Sequence, residues 1–383
     1  LQLRDRMNTC QACAFAGENG PSVDMVKFAA KVPTESWVDV YGTITKAEVK
    51  SCTMKEAEIS MEKIFVVSAA TNQLPFQVTD AQRFDPTYTG LQADADAGNE
   101  ATEAKAGEDA IIRVSQNKRL DNRHIDLRTP ANQAIFTVQS RIGQYFREFL
   151  YKNDFIEIHT PKIIPGVSEG GSEVFSLDYW GSKCCLAQSP QLYKQMATVS
   201  DFGRVFEIGH VFRAENSNTH RHLCEFIGLD LEMVIKEHYH EALDLIGNLF
   251  VHIFNRLNET CQKEIEAVNA QYPFTPLRFQ EKVVRIPFAE AHAHLIAAGE
   301  ERGEFDDFTT AQERKLGEVM REKYDCDLYI VDRFPASIRP FYTMPCADDP
   351  RYSNSYDVFL RGEEITSGAQ RVHDPELLKK QAA

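Results

Sequence analysis

The sequence has 383 residues, of which 43% are hydrophobic, and a formal net charge of −15 at pH 7. A chain of this size can bury a large core, and we expect two domains. No apolar run approaches the roughly 18 residues of a membrane span and no signal-peptide pattern occurs, so we expect a soluble intracellular protein. The nine cysteines are irregularly spaced, which favours reduced thiols over a disulfide framework.

Short β-like runs occupy the first 80 or so residues. They cover 37–44, 57–61 and 63–67, and a helical turn is predicted near 23–30. This pattern is typical of a small β-barrel. From 81 to 133 the composition changes, first to an acidic, Ala- and Gly-rich segment and then to a basic strip at 113–128. We expect a linker and a domain boundary here, and the basic strip is either an RNA-facing hinge or a solvated connector.

The pattern becomes helical from Ala134, where apolar residues recur at three- and four-residue steps. A strand is predicted at 155–159, and Pro161 ends it. Periodicity does not distinguish a helix buried in a core from one buried in a dimer. The next segment, 168–172, is a polar loop with two glycines, which by itself indicates a turn.

A second helix is predicted to begin at Pro190, since proline fits the first turn of a helix. Gln191 and Lys194 then lie three residues apart on one face. If that face lines a pocket, the lysine can pair with the carboxylate of a small ligand. Taken alone, Lys194 is equally typical of a solvated helix surface.

Two period-two runs, 205–214 and 224–233, predict an antiparallel hairpin with a long polar loop at 215–221. An anionic ligand suits this loop, because Arg213 offers a planar fork to phosphate and Arg221 and His222 add donors. On the return strand Phe226 can stack a base, and Asp230 and Glu232 face the same cleft as Arg213. The alternative is a solvated hairpin tip with a surface salt bridge.

Another hairpin is predicted within 354–371, with its turn at Arg361 and Gly362. Asp357 and Glu364 would then lie on neighbouring strands, where two carboxylates and a triphosphate can hold Mg²⁺. Two solvated acids are the alternative. Between the two hairpins we predict a helix over 236–265, a strand and two helices over 281–327, a buried strand at 328–331, and a strand and turn at 339–345.

The run Phe212-Arg213-Ala214-Glu215, its loop and the return strand at 225–230 resemble motif 2 of the class II aminoacyl-tRNA synthetases. The whole run is similar to the cytosolic eukaryotic aspartyl-tRNA synthetases. This resemblance implies an α+β catalytic domain at 134–383, with an antiparallel sheet flanked by helices. It also implies an incomplete OB-fold anticodon domain at 1–80, an acidic linker and basic hinge at 81–133, and a motif 1 dimer interface ending at Pro161.

The activity that the resemblance implies is ATP-dependent formation of aspartyl-adenylate and transfer of the aspartyl group to the 3′ end of tRNA(Asp). It further implies a cytoplasmic homodimer that uses Mg²⁺. Two alternatives stay open at this point. One is an asparaginyl-tRNA synthetase or an asparagine-synthesising relative, and the other is a non-catalytic RNA-binding or scaffold protein.

The resemblance assigns the site residues by their positions in the family's motifs. Catalysis falls to Arg213, Glu364 and Arg371, and the metal to Asp357 and Glu364. The aspartate-binding residues are Ser168, Glu169, Gln191, Lys194, Asp230, Ser367 and Arg371. The ATP-binding residues are Arg213, Glu215, Arg221, His222, Leu223, Phe226 and Glu364. Gln11 is expected to read the tRNA anticodon.

The family's motif 3, a Gly-Leu-Glu-Arg segment whose arginine holds the γ-phosphate of ATP, does not occur in the sequence. We expect it either to lie outside these residues or to be lacking, in which case the first step would be weakened. The barrel strand that carries a base-stacking aromatic in the family is expected before Leu1.

Overall fold

The computed structural model describes residues 1–17, 20–84, 114–167, 174–216 and 222–383. The strands are β1 (Gln2–Asp5), β2 (Asn8–Cys13), β3 (Trp37–Lys46), β4 (Ala57–Ser68), β5 (Ile156–Glu157), β6 (Ile163–Ile164), β7 (Ser176–Tyr179), β8 (Ser182–Leu186), β9 (Arg204–Phe212), β10 (Glu225–Met233), β11 (Val284–Pro287), β12 (Leu328–Asp332), β13 (Ser355–Leu360) and β14 (Glu363–Ala369). The helices are α1 (Val23–Ala29), α2 (Val78–Ala81), α3 (Gln116–Asp121), α4 (Arg123–Asp126), α5 (Pro130–Lys152), α6 (Gln191–Ala197), α7 (His240–Thr260), α8 (Gln262–Gln271), α9 (Phe288–Ala297), α10 (Thr310–Tyr324) and α11 (Pro375–Ala382). In the described ranges, no helix combines the length and the apolar character that a bilayer span needs.

One compact unit comprises Leu1–Ser140 and Cys261–Phe274. Its sheet has the order β1-β2-β4-β3, and its described strands do not close into a barrel. The two runs predicted at 57–61 and 63–67 form the single strand β4. They looked separate because the pairing shifts register between Tyr41 and Gly42, so Glu62 is left unpaired and the period-two pattern changes phase there.

The described part of the basic strip lies in the same unit and is helical. Arg119 and Arg123 both pair with Asp126, whose side chain is 2% exposed. Arg128 pairs with Glu35 at 2.7 Å. These arginines therefore neutralise acidic groups of their own unit, which the basic composition of the strip did not indicate.

The other compact unit comprises Arg141–Thr260 and Thr275–Ala383. It contains three sheets, with the orders β10-β9-β5, β6-β8-β7 and β11-β12-β13-β14. The predicted antiparallel hairpins, β9–β10 and β13–β14, are both present. All five residues of β12 are buried, as its apolar sequence predicted.

Three predicted elements have different bounds in the structure. The helix predicted over 236–265 is interrupted at Cys261, whose φ of −120° and ψ of 27° are not helical, so α7 and α8 are separate. The strand predicted at 155–159 is reduced to β5. The segment 339–345 makes only isolated bridges, such as Thr343 with Arg371, because Pro340 and Pro345 lack the N–H groups that a ladder needs.

The turn of the β13–β14 hairpin is formed by Arg361 and Gly362, with φ values of 54° and 76°. Two consecutive residues in the left-handed region are typical of a type I′ turn, which matches the twist of the strands. A Cβ on Gly317 of α10 would lie 2.6 Å from the Gly362 backbone. The helix can therefore approach the turn closely only because this position is glycine.

Candidate active site

The floor of the candidate site is the β9–β10 hairpin. Its register pairs Phe226 with Val211 and Asp230 with Glu207. Opposed residues, and every second residue along a strand, share one face of a sheet. Phe226, Asp230 and Glu232 therefore face the same side, so an aromatic ring and two carboxylates lie along one edge of the floor.

A buried ammonium group lies over the acidic end of this floor. The Lys194 side chain is 4% exposed, and its Nζ donates to Asp230 Oδ1 at 3.2 Å and to the Leu231 carbonyl at 3.4 Å. Gln191, on the same face of α6, donates from Nε2 to Glu232 Oε2 at 2.9 Å. The prediction that Gln191 and Lys194 share one helix face is confirmed, and both side chains contact carboxylates of β10. We call Gln191, Lys194, Asp230 and Glu232 the lysine pocket.

Glu232 lies on the same face as Asp230, as the alternation along the strand predicted, although the resemblance assigned it no role. Its Oε2 lies 3.7 Å from Lys194 Nζ, so the lysine has two carboxylate neighbours. Tyr356 lies on β13 and responds to charges on both sides of the site. Burial raises the pKa of Tyr356, the charge of Glu232 raises this pKa further, and the charge of Arg371 lowers it. The β13–β14 hairpin is thus adjacent to the lysine pocket.

Arg371 follows β14 and is half-buried. Its guanidinium lies 4.6 Å from the centre of the Tyr342 ring, and its backbone bridges Thr343. Stacking on an aromatic face restricts a guanidinium while leaving its N–H groups available for a planar anion. This geometry suits the carboxylate clamp that the resemblance implies for Arg371.

The other end of the floor carries the groups predicted to bind a nucleotide. Arg213 continues the hairpin beyond Phe212, with its N–H donating to the Cys224 carbonyl at 3.0 Å. Its guanidinium lies 5.5 Å from the centre of the Phe226 ring. Glu215 is half-buried, whereas His222 and Leu223 are exposed. A cation and an aromatic face are therefore placed together, as a base with phosphates would require.

The β13–β14 hairpin brings the predicted metal-binding carboxylates together. Asp357 is 4% exposed and pairs in register with Ser367, while Glu364 is opposite Phe359, the second residue after Asp357. Burial raises the pKa of Asp357 to about 7, and the charge of Glu364 adds to this rise. The two carboxylates are thus close enough to interact.

Asp357 also has a partner that the sequence did not indicate. Arg339 donates from Nη2 to Asp357 Oδ2 at 2.5 Å, and its guanidinium lies 4.0 Å from the centre of the Phe334 ring. The pair joins segments 18 residues apart through a region without regular secondary structure. No periodicity could have found it. Among the described residues there is no cluster of three or more His, Cys, Asp or Glu side chains arranged for a metal.

Four further predicted site residues fall into two groups. Ser168, Glu169 and Arg221 lie outside the described residues. Gln11 lies on β2 in the first compact unit, where its amide donates to Glu58 Oε2 at 2.6 Å. All nine cysteines are in the described ranges, and none of them forms a disulfide.

Residues 115–383 match the family described as tRNA synthetases class II (D, K and N). The chain is 48% identical to the human protein named cytoplasmic aspartate–tRNA ligase, over 100% of this chain and 73% of that protein. A solved aspartyl-tRNA synthetase from Entamoeba histolytica matches with a TM-score of 0.86 and 47% identity, over 100% of this chain and 73% of that one. The asparaginyl-tRNA synthetase of Pyrococcus horikoshii, solved with asparaginyl-adenylate, matches with a TM-score of 0.74 and 25% identity, covering 100% and 80% of the two chains. The chain therefore belongs to the class II tRNA synthetases, and its full length is homologous to cytosolic aspartate–tRNA ligases.

Proposed function

We propose that this chain activates L-aspartate with ATP and transfers the aspartyl group to the 3′ end of tRNA(Asp). In the first step an oxygen of the aspartate α-carboxylate attacks the α-phosphorus, the bond to the bridging oxygen breaks, and pyrophosphate leaves. A ribose hydroxyl of the tRNA then attacks the carbonyl carbon and AMP leaves. Positioning and charge stabilisation supply most of the rate in reactions of this kind.

The observation that carries the proposal is the buried Lys194 ammonium between Asp230 and Glu232. A buried cation that faces a pocket favours a ligand with its own negative charge, and the side-chain carboxylate of aspartate provides it. The amide of asparagine has no such charge. Arg371 adds a second cation at the edge of the same site, which supports aspartate over asparagine.

The nucleotide is assigned to the opposite end of the floor. We propose that Phe226 stacks the adenine and that Arg213 holds the α-phosphate, stabilising the charge that develops there. Glu215, Arg221, His222 and Leu223 are proposed as further contacts of ATP. On the aspartate side, Ser168, Glu169, Gln191 and Ser367 are proposed as ligands, with Glu169 pairing with the substrate ammonium.

The residues on the β13–β14 hairpin fit a magnesium ion that accompanies ATP. Asp357 Oδ1 is buried and accepts no hydrogen bond from the described residues. Mg²⁺ is usually held by one or two carboxylates together with phosphate oxygens. We propose that Asp357 and Glu364 hold it, and that Arg339 fixes the Asp357 side chain from its other oxygen. When bound, the ion would neutralise phosphate charge.

The remaining assignments concern tRNA and assembly. We propose that the β-rich part of residues 1–80 is a partial OB-fold anticodon domain containing Gln11, that 81–133 is a linker and hinge, and that 134–383 is catalytic. The names of the relatives support a cytoplasmic location. Ile135 and Phe136 on α5 are 42% and 52% exposed, which supports burial in a homodimer. Phe136→Glu should shift the chain from dimer to monomer in light scattering, and an unchanged mass would argue against this interface.

Aspartate-dependent exchange of pyrophosphate into ATP tests the proposed function. We expect exchange with L-aspartate and a rate at least about 100-fold lower with L-asparagine, as for a site built around a charge that the analogue lacks. Equal rates with both amino acids would favour an asparaginyl-type relative. An absence of exchange together with retained tRNA binding would favour the non-catalytic alternative.

A further inference from the structure

A second buried ion pair lies on the same face of the floor and has no part in the roles assigned above. Lys162 donates from Nζ to Glu207 Oε1 at 2.7 Å, and the two side chains are 25% and 3% exposed. Thr160 also binds this carboxylate, through its N–H at 3.0 Å and its hydroxyl at 2.7 Å. Glu207 thus accepts three hydrogen bonds from the short segment around Pro161.

The position of this pair relates it to the lysine pocket. Glu207 is the register partner of Asp230, and opposed residues have Cβ atoms about 5 Å apart on the same face. Lys162, Glu207, Asp230 and Lys194 therefore form a row across β9 and β10 in which two opposed carboxylates are flanked by two lysines. Burial raises the pKa of Glu207, but the bonds from Lys162 and Thr160 outweigh this effect and lower it, which keeps the group ionised.

The backbone also connects the pair to the pocket. The carbonyl of Lys162 accepts from the Ala187 N–H at 2.9 Å, and the Ala187 carbonyl accepts from the Phe212 N–H at 3.0 Å. Ala187 lies just before α6, which carries Lys194. The Lys162 backbone is thus bonded to the segment that leads into α6, while its side chain binds Glu207 on β9.

The charge of Glu207 is balanced only when Lys162 is counted. Three carboxylates, Glu207, Asp230 and Glu232, lie on the floor, and two ammonium groups, Lys162 and Lys194, pair with them. Arg371 adds a third cation at the edge. Without Lys162 the buried Glu207 would carry an uncompensated negative charge beside the site where the substrate carboxylate must bind, and Lys194 would be drawn toward it.

We propose that Lys162 is a positioning and charge-compensating residue for the acidic substrate, which it does not touch: it neutralises Glu207 so that Lys194 remains available to the aspartate side chain. This inference rests on the proposed function. It predicts opposite effects of removing the two partners. Loss of Lys162 weakens aspartate binding, whereas loss of the Glu207 charge strengthens it, because the pocket gains one net positive charge.

The experiment compares the full-length wild type with Lys162→Met, Glu207→Gln and the double variant in pyrophosphate exchange. Lys162→Met should raise the KM for aspartate about tenfold to twentyfold, the size expected for one charge about 10 Å away at an effective dielectric constant of about 20. Glu207→Gln should lower this KM, and the double variant should return to within about twofold of the wild type. The KM for ATP should change less than about twofold throughout, and Lys162→Arg should restore the wild-type value.

A merely structural role predicts a different pattern. Both single variants would then raise the KM for aspartate, and the double variant would be at least as impaired as the worse single one; either result overturns the proposal. Calorimetric titration of L-aspartate into the same four proteins measures the order of affinities without catalysis. A wild type that binds aspartate but catalyses no exchange would count against the proposed function, while the order of the four affinities decides the role of Lys162.

Discussion

Replacing Lys194 by methionine removes the buried cation on which the specificity argument depends. In the wild type its Nζ lies 3.2 Å from Asp230 and 3.7 Å from Glu232, and the side chain is 4% exposed. The variant leaves both carboxylates without this partner and removes the positive charge offered to the substrate. Removing one partner of a desolvated charge pair costs about 2–5 kcal/mol of binding free energy. At 1.4 kcal/mol per factor of ten, this corresponds to a loss of roughly 30- to 4,000-fold in kcat/KM for aspartate.

The chain offers a matched control in Lys183, whose Nζ lies 2.5 Å from Asp178 Oδ1. Both of these side chains are more than three-quarters exposed, at 79% and 77%. An exposed pair contributes little, so Lys183→Met should change kcat/KM by less than about twofold. Both variants are measured by aspartate-dependent pyrophosphate exchange. A Lys194→Met enzyme with nearly wild-type kcat/KM for aspartate, or an equal loss in Lys183→Met, would exclude Lys194 as the cation that binds the aspartate side chain.

Two further predictions concern stability. Burial raises the pKa of Glu35, but the hydrogen bonds from Arg4 and Arg128 outweigh burial and lower this pKa below its usual value of 4.5. The ion pairs of Glu35 with the two arginines therefore stabilise the fold fully above that value. Their contribution is lost as the pH falls through the lowered pKa. Glu35→Gln should therefore cost about 1–2 kcal/mol at pH 7 and converge with the wild type in acid, as measured by denaturant unfolding across pH; a difference that stays constant with pH would contradict this. A Cβ on Gly362 would lie 2.8 Å from backbone atoms of α10 at a φ of 76°, whereas at Gly299, with a φ of 90°, no described atom lies within 4 Å. Gly299→Ala should cost about 1–2 kcal/mol of unfolding free energy and Gly362→Ala about 1–3 kcal/mol more; equal costs would exclude the close approach.

Local patterns in the sequence predicted the elements that carry the site. Alternation over nine residues is sufficient to predict β9 and β10, and the three-residue spacing of Gln191 and Lys194 is sufficient to put both on one helix face. The consecutive Arg361 and Gly362 correctly predicted the turn that aligns Asp357 with Ser367. In each case the pattern that carries the prediction lies within a single strand, helix or turn.

Contacts between distant segments could not be predicted in this way. Lys162 and Glu207 are 45 residues apart, and their pairing depends on how the segment after β5 crosses β9. The Arg339–Asp357 pair likewise depends on a region without periodicity. A bulge can also conceal a continuous element, as Glu62 does in β4, because an unpaired residue reverses the phase of the alternation.

We propose that one pocket holds a small diacid and a nucleotide side by side on the β9–β10 floor, and a crystal structure with a non-hydrolysable aspartyl-adenylate analogue tests this arrangement. We expect the β-carboxylate within hydrogen-bond distance of Lys194 and Arg371, and the adenine against Phe226. An analogue bound away from this floor, or with its β-carboxylate turned away from Lys194, would contradict it.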